Sequence, residues 1–498
     1  MGSSSRAGAA HLPEPRQSEN RRQPAADKEQ GARRMIILQN GTVLGLDPPT
    51  VQHGTDVVIE GGTIKEVGSD AAEKYLADTY PGAERIDCTG KLVWPGLVCS
   101  HNHFYSGLAR GILADIKPST DFVTQLQNLW WKLDRAIDEE ILTYSGLISS
   151  LEAIKAGTTA VIDHHSSQSF ITGSLGTLKK GFETAGLRGI TCFEVTDRNG
   201  EEGMRLGVDE NLAFIESLAS EEEGAAAESG GPSGGKGGPQ EASGPAGLVR
   251  GMIGGHAPFT IPDAGLELLA GAAEKTGTGL HIHAGEDRYD QSRSHAVYGK
   301  DLIARLDDFG LINDKTIFAH GIYFTDADIE TVNQRDAFLV HNVRSNMNNS
   351  VGYNTNLHRL ENVALGTDGI GNNMYEEAKF AFFKNQDEGA GLGFGDILGF
   401  LWKGNRLLER NFGGLFGKIE PGYTADIVIS SYDPPTPLVP ENIAGHFIFG
   451  MSSRDVETVI INGKRIYEER GFLRETAALY REAQAAAKRL WERMDELE

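Results

Sequence analysis

The chain is poor in cysteine, in positive charge and in long apolar runs, and each shortage closes off a class of function. Cys88, Cys99 and Cys192 stand far apart and form no Cys-x-x-Cys pair. They cannot build a disulfide framework or a thiolate zinc knot, and they suit a reducing cytoplasm. Against 70 Asp and Glu there are only 47 Lys and Arg, a formal charge of -23. A surface of that sign repels phosphate backbones and anionic bilayers, so neither nucleic acid nor a membrane is an expected partner. No apolar run is long enough to cross a bilayer. Residues 1–34 are almost free of large apolar side chains and lack the apolar core of a signal peptide. They are expected to be a disordered extension, or to precede the true start, since "MIILQNGTVLGL" from Met35 reads like a first strand.

At 498 residues the chain can hold one barrel with an accessory unit, or two or three domains. Short β-rich runs fill residues 35–90 and return in "ADIVISSYD" and "VETVIINGKRIYEERG", within 416–470. Both ends are therefore expected to share one sheet domain, followed by a C-terminal helix over 471–498. Between them, over 91–415, eight apolar strand candidates alternate with helix-length amphipathic segments. That alternation predicts an α/β fold, a (β/α)8 TIM barrel with its site at the C-terminal strand ends. The Gly/Ala/Ser/Pro-rich stretch 221–247 reads as a flexible insertion before the fourth strand.

The strand ends carry the chemistry. In "SHNHF", His101 and His103 are two apart, and period-two alternation puts both imidazoles on one strand face. Such a pair suits one divalent ion, or two histidines bonded to each other. "HIHAGED" adds His283 and Glu286, "FAHG" adds His320, and "LGTDG" adds Asp368. Three imidazoles and a carboxylate leave one position for water, whose pKa the ion lowers towards neutrality. Glu286 can then carry protons from the water to the substrate. His320 is either a further ligand or the group that orients the water. His256, the Asp163-His164-His165 cluster, Asn342 and, in "FYSGLARG", Arg110 are candidates for holding the substrate. For His256 the alternative is a hold on a loop carbonyl, and for Asp163 the orientation of a neighbouring imidazole. His281 is left unassigned.

In this order, "PGLVCSHNHFYSGLARG", "HAPFT", "HIHAGE", "AHG", "HNVRSNMNN" and "LGTDG" resemble the amidohydrolase superfamily, over about Met35 to the C-terminus. Within it the chain is similar to the mononuclear ATZ/TRZ branch of triazine hydrolases and guanine, cytosine and S-adenosylhomocysteine deaminases. "LQNLWWKLDRAID" and "HNVRSNMNNSVGYN" are most similar to the SsnA group of aminohydrolases, linked to purine catabolism. The resemblance implies a metal-dependent hydrolase barrel with a composite β-sandwich from both chain ends. It also implies ligation of one divalent metal by His101, His103, His283 and Asp368. Zinc is the expected ion, with iron and manganese as alternatives. Glu286 becomes the proton shuttle, His320 the water-orienting group, and Asp368 a helper in deprotonation. "GMIGGHAPFT" has no lysine at the fourth strand end, so a carboxylated-lysine bridge between two metals is not supported. Val343 and His341 depart from the common pattern, and Arg344, Ser345 and Asn346 are candidates for holding an anionic or carbonyl group of the substrate.

The expected activity is hydrolytic deamination of a purine-like N-heterocycle by a cytoplasmic enzyme, with a homodimer as the candidate assembly. Two alternatives stand beside it. One is cleavage of a cyclic amide or another substituent at the same metal. The other is a catalytically retired metal-binding scaffold.

Overall fold

The computed structural model describes residues 34–228 and 247–497. The expectations for 1–34 and for most of 221–247 therefore fall outside the described residues. Residues 221–228 continue the helix Gly200–Glu228.

The first strands follow the alternating pattern of the sequence: β1 (Met35–Leu46), β2 (Pro49–Glu60), β3 (Thr63–Gly68), β4 (Glu84–Asp87) and β5 (Leu92–Pro95). β1 and β2 are antiparallel, while β4 and β5 lie parallel to β1. The continuously apolar runs build something different. β6 (Leu97–Asn102), β7 (Thr158–His165), β8 (Arg188–Phe193) and β9 (Val249–Gly251) form one parallel sheet in that order. β10 (Ile253–Gly255), β11 (Leu280–Ala284), β12 (Ile317–His320), β13 (Phe338–His341) and β14 (Val363–Leu365) form a second. Isolated parallel bridges, Val195 to Gly255 and Asn102 to Asp368, join the two sheets at both seams. Except between β9 and β10, helices lie between successive parallel strands, so strands such as "TTAVIDHH" are buried on both faces and need no polar alternation. This is a TIM-barrel-like α/β arrangement. Its interior packs Val98, Ile162, Ile190, Met252, Phe338 and Val340, with Leu408, Phe412 and Phe416 added from the end of the helix Phe394–Phe412 and the loop after it.

Two expected strands are corrected. The run from Lys91 to His103 is not one strand but β5 and β6, divided at Gly96. A Cβ on Gly96 would stand 2.0 Å from the Thr159 hydroxyl oxygen, so the chain crosses between sheets where only glycine fits. The fourth candidate also divides, at Met252, into β9 and β10 on different sheets.

Near the C-terminus come β15 (Ile427–Ser430), β16 (Val456–Ile461), β17 (Lys464–Glu468) and β18 (Gly471–Phe472). They continue the first sheet in the order β18-β17-β16-β15-β5-β1-β2-β3, with β4 on β1. The junction is antiparallel, Ile427 opposite Pro95 and Ser430 opposite Leu92. One buried ion pair ties this sheet to the parallel strands. At the start of β8, the fully buried Arg188 donates Nε and Nη2 to the Asp426 carboxylate at 2.7 and 3.1 Å. Its guanidinium lies over the rings of Phe412 and Phe416. The last helix, Ala477–Glu496, packs on the helix Glu139–Lys155 through an apolar stripe that includes Leu490 and Met494. No described helix is long and apolar enough to cross a membrane.

Candidate metal centre

Parallel strands bring their C-terminal ends to one rim, and there the charged residues meet. His101 is on β6 with His103 just beyond, His283 is on β11, His320 ends β12, and Asp368 follows β14. His320 and Asp368 both adopt a left-handed backbone, φ 78° and 51°, which turns the chain at the rim. Asn102, between the two imidazoles of β6, points to the other face. Its Nδ2 donates to Thr367 Oγ1 and to the carbonyls of Asp368 and Gly371 at 2.7–2.8 Å, pinning the loop that carries Asp368.

Hydrogen-bond direction fixes what these rings offer. A carbonyl can only accept. His103 Nδ1, 2.5 Å from the His164 carbonyl, and His283 Nδ1, 2.8 Å from the His256 carbonyl, must therefore each carry a hydrogen. In neutral rings both Nε2 atoms are then lone pairs, yet they face each other at 3.1 Å. Asp368 Oδ1 joins them, 2.7 Å from His103 Nε2 and 3.5 Å from the buried, otherwise unpartnered His101 Nε2. Acceptors converging on one point need a cation. Tetrahedral ligands at ~2.0–2.1 Å from a zinc-like ion would be ~3.3–3.4 Å apart, so the spacing fits one ion. This is a divalent-metal site made of histidine and aspartate.

The electrostatics agree. Burial drives the His101 pKa down to about 3 and holds His283 well below its usual value. His103 goes the other way: burial opposes its charge, but Asp368 and Glu194 outweigh burial and hold it well above the ordinary range. The field that draws a proton there draws a cation too. For Asp368 the penalty of burial is overcome by His103, His101 and His320, and its carboxylate stays charged.

A further layer orients the rings. His281 Nε2 sits 2.8 Å from His101 Nδ1, and its own Nδ1 faces Cys192 Sγ at 3.8 Å. Glu194 Oε1 lies 3.2 Å from His103 Nδ1 and 3.3 Å from His164 Nδ1. A carboxylate behind a metal-facing imidazole favours the tautomer that leaves Nε2 free.

Glu286 stands beside this centre, with Oε2 3.6 Å from His320 Nε2 and Oε1 3.4 Å from Asn349 Nδ2. Burial first, and then the Asp368 charge, raise its pKa well above the usual carboxylate value. His320 Nδ1 pairs with Asn346 Oδ1 at 2.7 Å, while its Nε2 has no protein hydrogen bond and looks towards Glu286 and Asp368 Oδ2. The cavity in front is walled by Phe122, Trp130, Trp131, Phe259 and Tyr289, with Glu194 and His256 at its edge.

Of the residues expected to touch substrate, only His256 lines this cavity. His164 stacks on His281 with ring centroids 4.4 Å apart and donates Nε2 to the His281 carbonyl, so it supports the ligands from behind. His165, one residue on, turns to Ser167 Oγ at 2.8 Å because neighbouring strand residues face opposite ways. Asn342 is fully buried, its amide Nδ2 turned to the Val340 carbonyl, and a Cβ on Gly366 would meet its Oδ1. Arg110 is 72% exposed, faces Glu152, and opens on a neighbouring cavity. Asp163 accepts from Phe104 N and Thr191 Oγ1 and holds the loop after β6. Arg344, Ser345 and Asn346 likewise serve the protein itself: Arg344 pairs with Glu376 and Glu377, Ser345 donates to Asp368 Oδ2, and Asn346 meets His320. The role of Glu194, just after the third parallel strand, was not legible in the sequence. The Trp-Trp pair in "LQNLWWKLD" was the one sequence signal for the aromatic wall.

Comparison with known proteins gives the same picture of the chain. The model of the amidohydrolase family matches residues 92–466. A 5-methylthioadenosine/S-adenosylhomocysteine deaminase of Thermococcus sibiricus is 28% identical over 444 residues, spanning 86% of this chain and 93% of that protein. A 5'-deoxyadenosine deaminase of Methanosarcina mazei is 28% identical over 470 residues, spanning 92% and 99%. Among solved structures, an adenosine deaminase from Xanthomonas campestris with bound zinc superposes with a TM-score of 0.74 at 23% identity, covering 91% of this chain and 98% of that one. A variant of atrazine chlorohydrolase TrzN from Arthrobacter aurescens, complexed with zinc and atraton, gives 0.73 at 20% identity over 91% and 100%. At those identities the structures speak for the fold alone.

Proposed function

Because the chain belongs to the amidohydrolase family, we propose that it is a metal-dependent deaminase. It hydrolyses the carbon–nitrogen bond of an amino group on a purine-like heterocycle. The observation that carries this reading is the meeting of the His103 and His283 lone pairs with the Asp368 carboxylate, with the Glu286 carboxyl alongside, near His320. His101, His103, His283 and Asp368 would hold the ion; zinc is the expected one, although histidine and carboxylate ligands suit iron as well. When bound, it supplies a water acidic enough to act as a nucleophile near neutral pH.

The protein's own groups do the rest. His320 Nε2 accepts a hydrogen of that water and aims it. Glu286 takes one proton of the water and returns it to a ring nitrogen, then carries the second, from the newly added hydroxyl, to the amine, which leaves as ammonia. Asp368 Oδ2, held by Ser345, shares the first deprotonation. The aromatic wall excludes bulk water and stacks a flat ring.

Two features of the fold belong to this reading. The parallel sheets are halves of one (β/α)8 barrel over 91–415, and residues 35–90 and 416–470 form a composite β-sandwich domain. A homodimer is supported by one patch of exposed aromatics, Phe383 and Phe394 packed on Phe449, each at least 42% exposed. With it goes a cytoplasmic enzyme acting on a small heterocycle, with no nucleic-acid partner.

The test is ammonia release from a panel of amino-heterocycles by protein whose metal has been identified by elemental analysis. Ring opening without ammonia would replace the deaminase by a cyclic-amide hydrolase. Protein that neither carries nor takes up a divalent ion would end the catalytic reading.

A further inference from the structure

The cavity in front of the metal site is lopsided in charge. Asp134, Glu194, Glu286, Asp287, Asp290 and Asp368 line it, and no lysine or arginine does. Nearby, Arg198 is already committed: its Nη2 binds Asp134 Oδ2 at 2.6 Å and its guanidinium lies on the Trp131 ring. A phosphate or carboxylate entering here would find no lysine or arginine on the lining to pair with.

Hydrogen-bond direction sharpens this. Thr260 Oγ1 lies 3.0 Å from the Ala257 carbonyl and 2.9 Å from His256 Nδ1. Only one assignment makes both contacts hydrogen bonds: the hydroxyl donates to the carbonyl and accepts from Nδ1–H. The neutral His256 ring then presents an Nε2 lone pair, and His256 lines the cavity. Glu194 Oε1 faces His103 Nδ1 and His164 Nδ1 at 3.2 and 3.3 Å without a hydrogen bond to either, and its Oε2 likewise has no hydrogen bond among the described residues. One ring nitrogen of His256 and one oxygen of Glu194 lie within 4.8 Å of each other. A nitrogen of His256 and a carboxylate oxygen of Glu194 therefore stand side by side at the cavity, and among the described residues nothing donates to His256 Nε2 or Glu194 Oε2.

Resting on the deaminase reading, the amine that leaves belongs next to Glu286, which protonates it. The acceptors just after β8 and β10 are left for the ring edge beside that amine. We propose that the substrate is a flat amino-heterocycle which turns a ring N–H towards Glu194 and His256 and carries no anionic group. That is the edge of a cyclic guanidine, an amine-bearing carbon flanked by N–H. A ring whose neighbouring nitrogen is a bare lone pair would oppose acceptor to acceptor. Glu194 becomes a specificity residue as well as the support of His103.

The test uses two purines of the same skeleton. Guanine places N–H beside its amine, and adenine places a lone pair there. Metal-loaded Glu286→Gln protein, which should bind without turnover, is titrated with each and with guanosine and its 5'-monophosphate. Guanine is expected to bind about tenfold or more tightly than adenine, the value of one matched hydrogen-bond edge. The monophosphate is expected to bind at least about a hundredfold more weakly than guanosine. Adding Glu194→Gln should cut guanine affinity by about ten- to a hundredfold and leave adenine within about threefold. If that variant fails to hold metal, His256→Leu removes the other acceptor and the same guanine-to-adenine ratio is read. Equal or stronger binding of adenine, or of the monophosphate, overturns the proposal. Ammonia released by unmodified enzyme from adenine and not guanine would also overturn it while leaving the deaminase standing. Selective guanine binding with no ammonia from any purine would end the deaminase reading and leave the edge assignment in place.

Discussion

Replacing His281 by phenylalanine removes the acceptor behind a metal-facing imidazole and leaves a ring of similar size. For His101 Nε2 to offer its lone pair, Nδ1 must carry the hydrogen and donate it to His281 Nε2, 2.8 Å away. Burial holds the His281 pKa well below its usual value, so the ring is a neutral acceptor at working pH. In the variant, the metal-bound state keeps a buried N–H with no partner, at a cost of ~1–3 kcal/mol. The metal-free state escapes that cost, because His101 can move its hydrogen to Nε2 and donate to Asp368 Oδ1, 3.5 Å distant. The loss therefore falls on metal affinity rather than on folding. At ~1.4 kcal/mol per tenfold, Kd should rise about 5- to 150-fold. Competition with a chromophoric chelator measures it, and thermal unfolding of metal-free protein is the control, expected to change little. His281→Gln, whose amide oxygen can accept, should recover most of the affinity. A Kd within twofold of the unmodified protein for His281→Phe would refute the assigned tautomer. An equal destabilisation of both forms would assign His281 to packing instead.

Other consequences can be checked alongside. Glu286→Gln should retain a full complement of metal by elemental analysis and lose about 10²–10⁴-fold in kcat, the usual contribution of a positioned acid–base group; unchanged turnover would remove Glu286 from proton transfer. Arg188→Met strands the Asp426 carboxylate beneath the parallel strands and should cost ~3–5 kcal/mol in denaturant unfolding, with the partner charge left uncompensated. The double change Arg188→Met, Asp426→Leu should recover a large part of that loss. Burial pushes the Asp290 pKa from 3.8 up to about 8. Its folded state therefore binds a proton that the unfolded state has released, and stability falls as pH rises from 3.8 towards 8. Asp290→Asn should accordingly raise Tm more at pH 8 than at pH 5, and a gain that does not depend on pH would contradict this.

Much of the fold was legible because its signals are local. Apolar runs such as "TTAVIDHH", separated by helix-length segments, mark buried parallel strands, and "ADIVISSYD" marks the return to a sheet begun near Met35. The division at Gly96 was not legible, since a strand that changes sheets in one residue keeps its apolar pattern throughout. The substrate side suffered for a related reason. His164 and His165 sit side by side at a strand mouth, and only the packing of β11 and of the loop at Ser167 shows that neither reaches the cavity.

The sequence by itself determined the kind of chemistry: two imidazoles on one strand face, then His283, Glu286, His320 and Asp368, each at or just after a strand end. Residue type and period-two alternation suffice for that, because both act over a few residues. Tertiary structure decided which atom of each residue is available. His101 and His281 lie 180 residues apart in the chain, as do His103 and His283, and nothing in either neighbourhood specifies the other. Only when the parallel strands align do the His164 and His256 carbonyls take the Nδ1 hydrogens. That leaves lone pairs facing one another and turns a set of histidines into a place for a cation.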